Sequence, residues 1–200
     1  RTIDLGNRPE IVERDAEMTA AVHEFGGRII AQLIHFGPQG RSGSQDDYRL
    51  LWGPSTMKSP AYNEWAREMT KAEMDEVSDA FAQTALSSKE SGFDGVELHA
   101  ANGYLIDQFL QSSTNQRTDL YGGSVENRAR FLLEVVDALI EVWGAGRVGV
   151  HLAPRGDEHD MGDENPRETF GYALEELGKR KIAFFFTREH LDEGSISGYL

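Results

Sequence analysis

The pattern that most constrains this chain is a fourfold alternation of helix-like and strand-like segments. Residues 9–25 carry Ile11, Val12, Met18, Val22 and Phe25 at roughly helical spacing, and Gly26 and Gly27 stop the run. "RIIAQLIHF" (28–36) then reads as a strand. Thr70, with Glu73 three residues later, forms a capping box for a helix that continues to about Glu90 and ends at Gly92. "FDGVELH" (93–99) is the next strand. Gly122, Gly123 and Ser124 open another helix, whose apolar face carries Phe131, Leu132, Val135, Val136, Leu139 and Trp143. "RVGVHLAP" (147–154) follows as a strand. Pro166 starts a helix through Phe170, Leu174 and Leu177 to Gly178, and "KIAFFFTRE" (181–189) closes the series. Strands separated by helices pair in parallel through right-handed crossovers. The fold class is therefore α/β: a (β/α) barrel, part of one, or an open doubly wound sheet. Residues 36–69 read as one long polar and aromatic loop, a kind that is usually functional or mobile.

Bulk composition narrows the function. A length of 200 residues suits one domain, taken as a single unit over 1–200, with room for one sizeable core. The formal net charge of −14 argues against nucleic acid or an anionic membrane as partner, since both call for a basic face. No apolar run approaches the ~20 residues of a membrane helix. "RTIDLGNRPE" has no apolar centre and does not read as a signal peptide. The absence of cysteine removes disulfides, thiolate nucleophiles and cysteine metal sites, and is compatible with a cytoplasmic location.

In such folds sites form at the carboxyl ends of the strands. Alternation sorts the side chains there. Val96 and Leu98 should face the helices, with Gly95, Glu97 and His99 on the other face. Val148, Val150 and Leu152 should likewise meet helices, with His151 opposite. Ile30, Gln32 and Ile34 share one face, and Ala31, Leu33 and His35 the other. A lone strand-end histidine is more often structural than catalytic. Several polar residues in register at successive strand ends favour function without choosing a chemistry.

The segment "VELHAANGYLIDQFLQSSTNQRTDLYGGSVENRARFLLEVVDAL" closely resembles the old yellow enzyme family of FMN-dependent ene-reductases. The match takes in His99-x-x-Asn102, Gly103-Tyr104, the Asn115-x-Arg117-Thr118-Asp119 turn, Tyr121-Gly122-Gly123 and Glu126-Asn127-Arg128. "AQLIHFG", "GPS" at 53–55, "VGVHLAP" and "ELGKRKIAFFFTRE" extend it over nearly the whole chain. The resemblance implies that His99 and Asn102 bind the carbonyl or nitro oxygen of an activated alkene. Two preplaced donors there would stabilise developing enolate charge, each by about 3–4 kcal/mol in a dry site. It further implies that Tyr104 delivers a proton to the α-carbon, as a phenol with an ordinary pKa near ~10 can. Gln32 matches the family glutamine that hydrogen-bonds the flavin ring, with hydride drawn from NAD(P)H. The alternative for 99–104 is a polar turn capping a short helix over 103–110.

Two departures from the family pattern stand out. His151 occupies the place of an arginine beside the flavin, so flavin binding should be weaker or the redox potential shifted. Position 34 is Ile rather than a bulky aromatic. The visible strands also map to the third through sixth of an eight-stranded barrel that needs ~250 residues, and cofactor phosphate in that fold sits on loops after the seventh and eighth strands. The expectation is thus an incomplete (β/α)8 TIM-type barrel of about four β/α units. Its open edges could be closed by pairing two copies as a homodimer, and "FFFT" at 184–187 would otherwise be an aggregation hazard. Two other functions compete. A zinc hydrolase could use His35, His99, His151, Asp157, His159 and Asp160, although no His-x-His pair is present. A non-catalytic remnant would keep the letters without the cofactor.

Overall fold

The computed structural model describes residues 8–44, 50–59, 62–156, 159, 161–189, 194–196 and 198. In chain order these form α1 (Pro9–Glu24), β1 (Ile30–Leu33), β2 (Leu51–Gly53), β3 (Met57–Lys58), β4 (Trp65–Glu68), α2 (Lys71–Glu90), β5 (Gly95–Ala100), α3 (Leu105–Leu110), α4 (Val125–Trp143), β6 (Val148–Leu152), α5 (Pro166–Lys179) and β7 (Phe184–Thr187). The four long strands make one sheet in the order β1-β5-β6-β7, and every pair in it is parallel. The alternation read from the sequence is thus realised element by element.

Register follows the alternation. Ala31 lies opposite Val96 and Leu33 opposite Leu98; Val96 pairs with Val148 and Leu98 with Val150. These side chains are buried and meet α2 and α4, whose inward residues include Phe81, Ala85, Phe131, Leu132, Val135, Val136 and Leu139. Each such fully buried Val, Leu or Phe contributes about 1.5–3 kcal/mol of hydrophobic stabilisation. Local signals place the helices: Thr70 Oγ1 accepts from Glu73 N (3.3 Å) while Glu73 Oε2 accepts from Thr70 N (2.9 Å), closing the expected capping box. Trp143 Nε1 donates to Ala85 O (3.0 Å) and ties the end of α4 to α2.

The opposite sheet face carries Ile30 and Gln32, then Gly95, Glu97 and His99, then Gly149 and His151, then Phe184 and Phe186. At its margins Ile30 and Phe186 remain 44% and 50% exposed, and Phe185, on the helix-facing side opposite Val150, is 50% exposed. Gly149 leaves room for its neighbour, since a Cβ there would fall 2.2 Å from the Phe184 ring.

Two expectations change. Residues 36–69 are not one irregular loop: β2 pairs in parallel with β4, and β3 pairs antiparallel with β4, beside short 3-10 turns at 37–39 and 42–44. The outer strands are also shorter than read. β1 stops at Leu33 because His35 Nδ1 accepts from Gly37 N (3.0 Å), turning the chain into the first 3-10 turn. β7 starts at Phe184, since Lys181 takes a left-handed conformation (φ 57°) at the preceding helix end. Among the described residues, no helix is long and apolar enough to cross a membrane.

Candidate active site at the strand ends

The strand β5 delivers His99 to the carboxyl edge of the sheet, directly opposite His151 on β6 and, one strand further, Phe186 on β7. The imidazoles of His99 and His151 lie edge to face with centroids 4.8 Å apart, and His151 stacks at 4.5 Å on Phe186. Tyr104 packs edge-on against His99 at 5.1 Å and against Phe36 at 5.3 Å.

Beyond Ala100 the chain makes a tight turn that its own helix clamps. Asn102 and Gly103 both adopt positive φ, 57° and 75°. Gly103 N donates to the buried Asp107 carboxylate (2.9 Å), and Gln108 Nε2 donates to Gly103 O (2.7 Å). Leu105 N donates to His35 O (3.1 Å), which ties the turn to the end of β1. Asn102, of a type that tolerates left-handed backbone, is thereby held with its side-chain Nδ2 3.4 Å from His99 Nε2.

The electrostatics keep this cluster uncharged. Burial pushes the His99 pKa down to about 4, helped by the neighbouring His151. His151 is also lowered, first by burial and then by the positive charge of Arg188. Neutral imidazoles each offer one donor and one acceptor. Yet His99 Nδ1 and both ring nitrogens of His151 are buried without a hydrogen-bond partner, and each residue is only 6% exposed. A buried orphan polar atom costs about 1–3 kcal/mol.

Of the residues singled out from the sequence, His99, Asn102, Tyr104 and His151 come together. Gln32 shares their face but is solvent-exposed, and its Nε2 donates to Glu97 Oε1 (2.6 Å). His35 lies past the end of β1; burial lowers its pKa to about 4 and its Nδ1 accepts from Gly37 N. Among the described residues, no group of three or more His, Asp or Glu side chains could hold a metal ion. Asp157 and Asp160 lie outside the described residues.

Two further neighbours complete the surroundings: His159, which the sequence offered only as a zinc candidate, and Arg188, which it did not single out. His159 Nδ1 donates to Asn102 O (2.9 Å), and its ring lies 5.8 Å from Tyr104. Arg188 Nη1 donates to Asn102 Oδ1 (3.2 Å). The strand-end rule, applied to β7 as it was to the others, points to Arg188; nothing local marks His159 as a site neighbour.

The other dense motif does different work. Asn115 Nδ2 donates to Phe109 O (2.6 Å) and Tyr121 O (2.7 Å). Arg117 Nη1 donates to Pro54 O (3.0 Å) and Met69 O (2.8 Å), while its Nε and Nη2 grip Asp119. Arg128 donates to Leu110 O (2.9 Å), Gly123 O (2.6 Å) and Thr169 Oγ1 (2.8 Å), and pairs with Asp163. Gly122 is obligatory, because a Cβ there would sit 2.2 Å from Arg117 O. These residues staple the small sheet and α5 onto the strand-end loops.

Comparison with known proteins adds the kinship. A family model described as NADH:flavin oxidoreductase / NADH oxidase matches residues 7–190. A probable flavin mononucleotide-dependent alkene reductase of Leishmania infantum is 39% identical over 189 residues, spanning 88% of this chain and 52% of that protein. A putative 12-oxophytodienoate reductase of Oryza sativa subsp. japonica is 40% identical over 178 residues, spanning 86% of this chain and 45% of its own length. Among solved structures, morphinone reductase in complex with tetrahydroNAD superimposes with a TM-score of 0.88 at 36% identity, covering 91% of this chain and 54% of that one. The old yellow enzyme homologue from Zymomonas mobilis gives 0.88 at 35% identity, covering 94% and 58%. The chain therefore spans about half the length of the relatives it matches. Its four-stranded sheet is part of a TIM-type barrel.

Proposed function

We propose, for a chain that belongs to the NADH:flavin oxidoreductase / NADH oxidase family, that these strand ends form part of an FMN-dependent ene-reductase site. Its reaction is reduction of the C=C bond of an α,β-unsaturated carbonyl or nitro compound with electrons from NAD(P)H. The observation that carries the reading is an open set of polar atoms, donors and acceptors together: His99 Nδ1 and both His151 nitrogens are buried and unpartnered beside the Asn102 amide.

The residues present suit a flat ring edged with hydrogen-bonding atoms. Gln32 and His151 share the open face on either side of β5, and would hold such a ring by amide and imidazole contacts. When bound, FMN supplies a two-electron carrier between the nicotinamide and the alkene. Phosphate sites in this fold lie on the loops after the seventh and eighth strands, outside the sheet described here.

His99 and Asn102 bind the substrate oxygen. Their nitrogens are 3.4 Å apart, and an oxygen ~2.9 Å from each completes the triangle. Charge gathers on that oxygen as the β-carbon is attacked, so both contacts strengthen in the transition state. Because burial holds His99 neutral, it acts as a donor without a fixed charge. Tyr104, packed against His99, then gives its phenolic proton to the α-carbon. The alkene reductase and 12-oxophytodienoate reductase names of the relatives support this substrate class.

Two measurements test the proposal. Titration of the purified chain with FMN, followed by quenching of flavin fluorescence, should show micromolar binding, tightened by His151→Arg; fluorescence that never departs from that of free flavin rules out the cofactor for this chain. In flavin-loaded protein, His99→Ala with Asn102→Ala should abolish alkene reduction and spare FMN binding. Turnover surviving in that variant removes the oxygen-binding role.

A second reading concerns assembly. Ile30 on the β1 edge and Phe185 and Phe186 on the β7 edge are exposed apolar residues beside unpaired strand edges. A second copy of this chain presents matching edges, so the isolated chain should elute as a homodimer from size-exclusion chromatography. A monomer that stays soluble at high concentration overturns that.

A further inference from the structure

Asn102 poses a problem that its own side chain cannot solve. The two ends of an Asn amide have nearly the same shape, but one donates and the other accepts. Only the donor end can stabilise a negative oxygen. With the acceptor end toward His99, the site would present a lone pair where charge develops and would repel it.

The neighbouring strand resolves the ambiguity. Arg188 directly follows β7, and its backbone N donates to Leu152 O (2.9 Å), which anchors it to the end of β6. From there its Nη1 reaches Asn102 Oδ1 at 3.2 Å, across 86 residues of sequence. A guanidinium has donors only, so the Asn102 atom it faces must be the acceptor oxygen. Nδ2 is then turned to His99 Nε2, 3.4 Å away. The backbone of the same residue is held from the other side by His159 Nδ1 on Asn102 O (2.9 Å). Two loops that follow later strands thus grip one asparagine, one through its main chain and one through its amide.

We propose that Arg188 is a positioning residue that selects the amide orientation of Asn102, turning its NH2 toward His99 and the substrate oxygen. The use of that orientation rests on the ene-reductase reading; the orientation itself does not. Arg188 also lowers the pKa of His151 through its charge, but its hydrogen bond at the substrate-oxygen pair is to the Asn102 amide.

Side-chain amide NMR on the isotope-labelled chain reads the orientation directly, with no cofactor needed. In the wild type the Asn102 NH2 protons should show cross-relaxation to the His99 ring. In Arg188→Met that contact should weaken or vanish, and Arg188→Lys, which keeps a cationic donor, should restore part of it. If the methionine variant does not fold, Arg188→Leu takes its place, with the same expected loss. An undiminished Asn102–His99 contact in the neutral variant overturns the proposal. In flavin-loaded protein, Arg188→Met should lower kcat/KM by roughly 10- to 100-fold, less than the ~10²–10³ lost when an oxyanion donor is deleted outright. Turnover at wild-type level in that variant also overturns it. A wild-type chain that binds no FMN but shows the NMR contact and its loss would instead leave the positioning intact and reject the ene-reductase reading.

Discussion

The turn at 115–128 and the strand ends around His99, Asn102 and His151 both hold buried polar side chains and are both dense in motif letters. They treat their hydrogen bonds in opposite ways. Asn115, Arg117, Asp119 and Arg128 spend their polar groups on main-chain carbonyls and on one another, and no buried side-chain atom among them lacks a partner. The strand-end cluster leaves three imidazole nitrogens open. The first arrangement stabilises a fold, because every desolvated group recovers what it lost in leaving water. The second costs stability unless a bound group completes it. A dense run of motif letters therefore does not by itself distinguish these two arrangements; how far their polar atoms are satisfied does.

That contrast can be broken or sharpened by experiment. The largest effect should come from Arg117→Met, which strands the carbonyls of Pro54 and Met69 and frees Asp119. A loss of about 3–5 kcal/mol is expected, read as a lower urea midpoint. An unchanged midpoint would mean the 115–128 turn is not the scaffold described.

Acid should separate the clusters next. The folded-state pKa of His99 lies at about 4, below its ordinary 6.5, so the unfolded chain binds the proton more readily between those values. Stability from this group is fully present above pH 6.5 and is lost as pH falls toward 4, approaching about 3 kcal/mol. His151 shifts the same way. Asp119 is also lowered, first by its hydrogen bond from Arg117, but from an ordinary 3.8, so its stabilisation persists until more acidic pH. Urea midpoints that stay flat from pH 6.5 to 4.5 would show that the imidazoles are not held neutral.

The smallest expected effect has the opposite sign. His151→Leu removes two orphan nitrogens and fills the space beside Phe186 with apolar atoms. It should raise stability by about 1 kcal/mol, measured against the wild type at pH 7. A destabilised variant would mean that His151 has a partner in solution, and the cluster would cease to contrast with the turn at 115–128.

Most of the fold and about half of the site can be read from the sequence, and the division has a physical cause. Helical and strand periodicities are local, so α1, α2, α4, α5 and the four parallel strands announce themselves, together with their order and facing. The same two-residue period by itself puts Gln32, Glu97, His99 and His151 on one face. Short strands paired through irregular loops lack that period, so β2, β3 and β4 are hidden within 36–69. Strand ends are set by events such as the His35–Gly37 hydrogen bond, which the apolar pattern overruns. Only the tertiary structure decides which polar residues are satisfied. Arg117 finds its carbonyls 63 and 48 residues away, and Arg188 finds Asn102 across 86. Hydrogen bonds at such separations leave no periodic trace, because the chain between them sets their meeting only when it has folded.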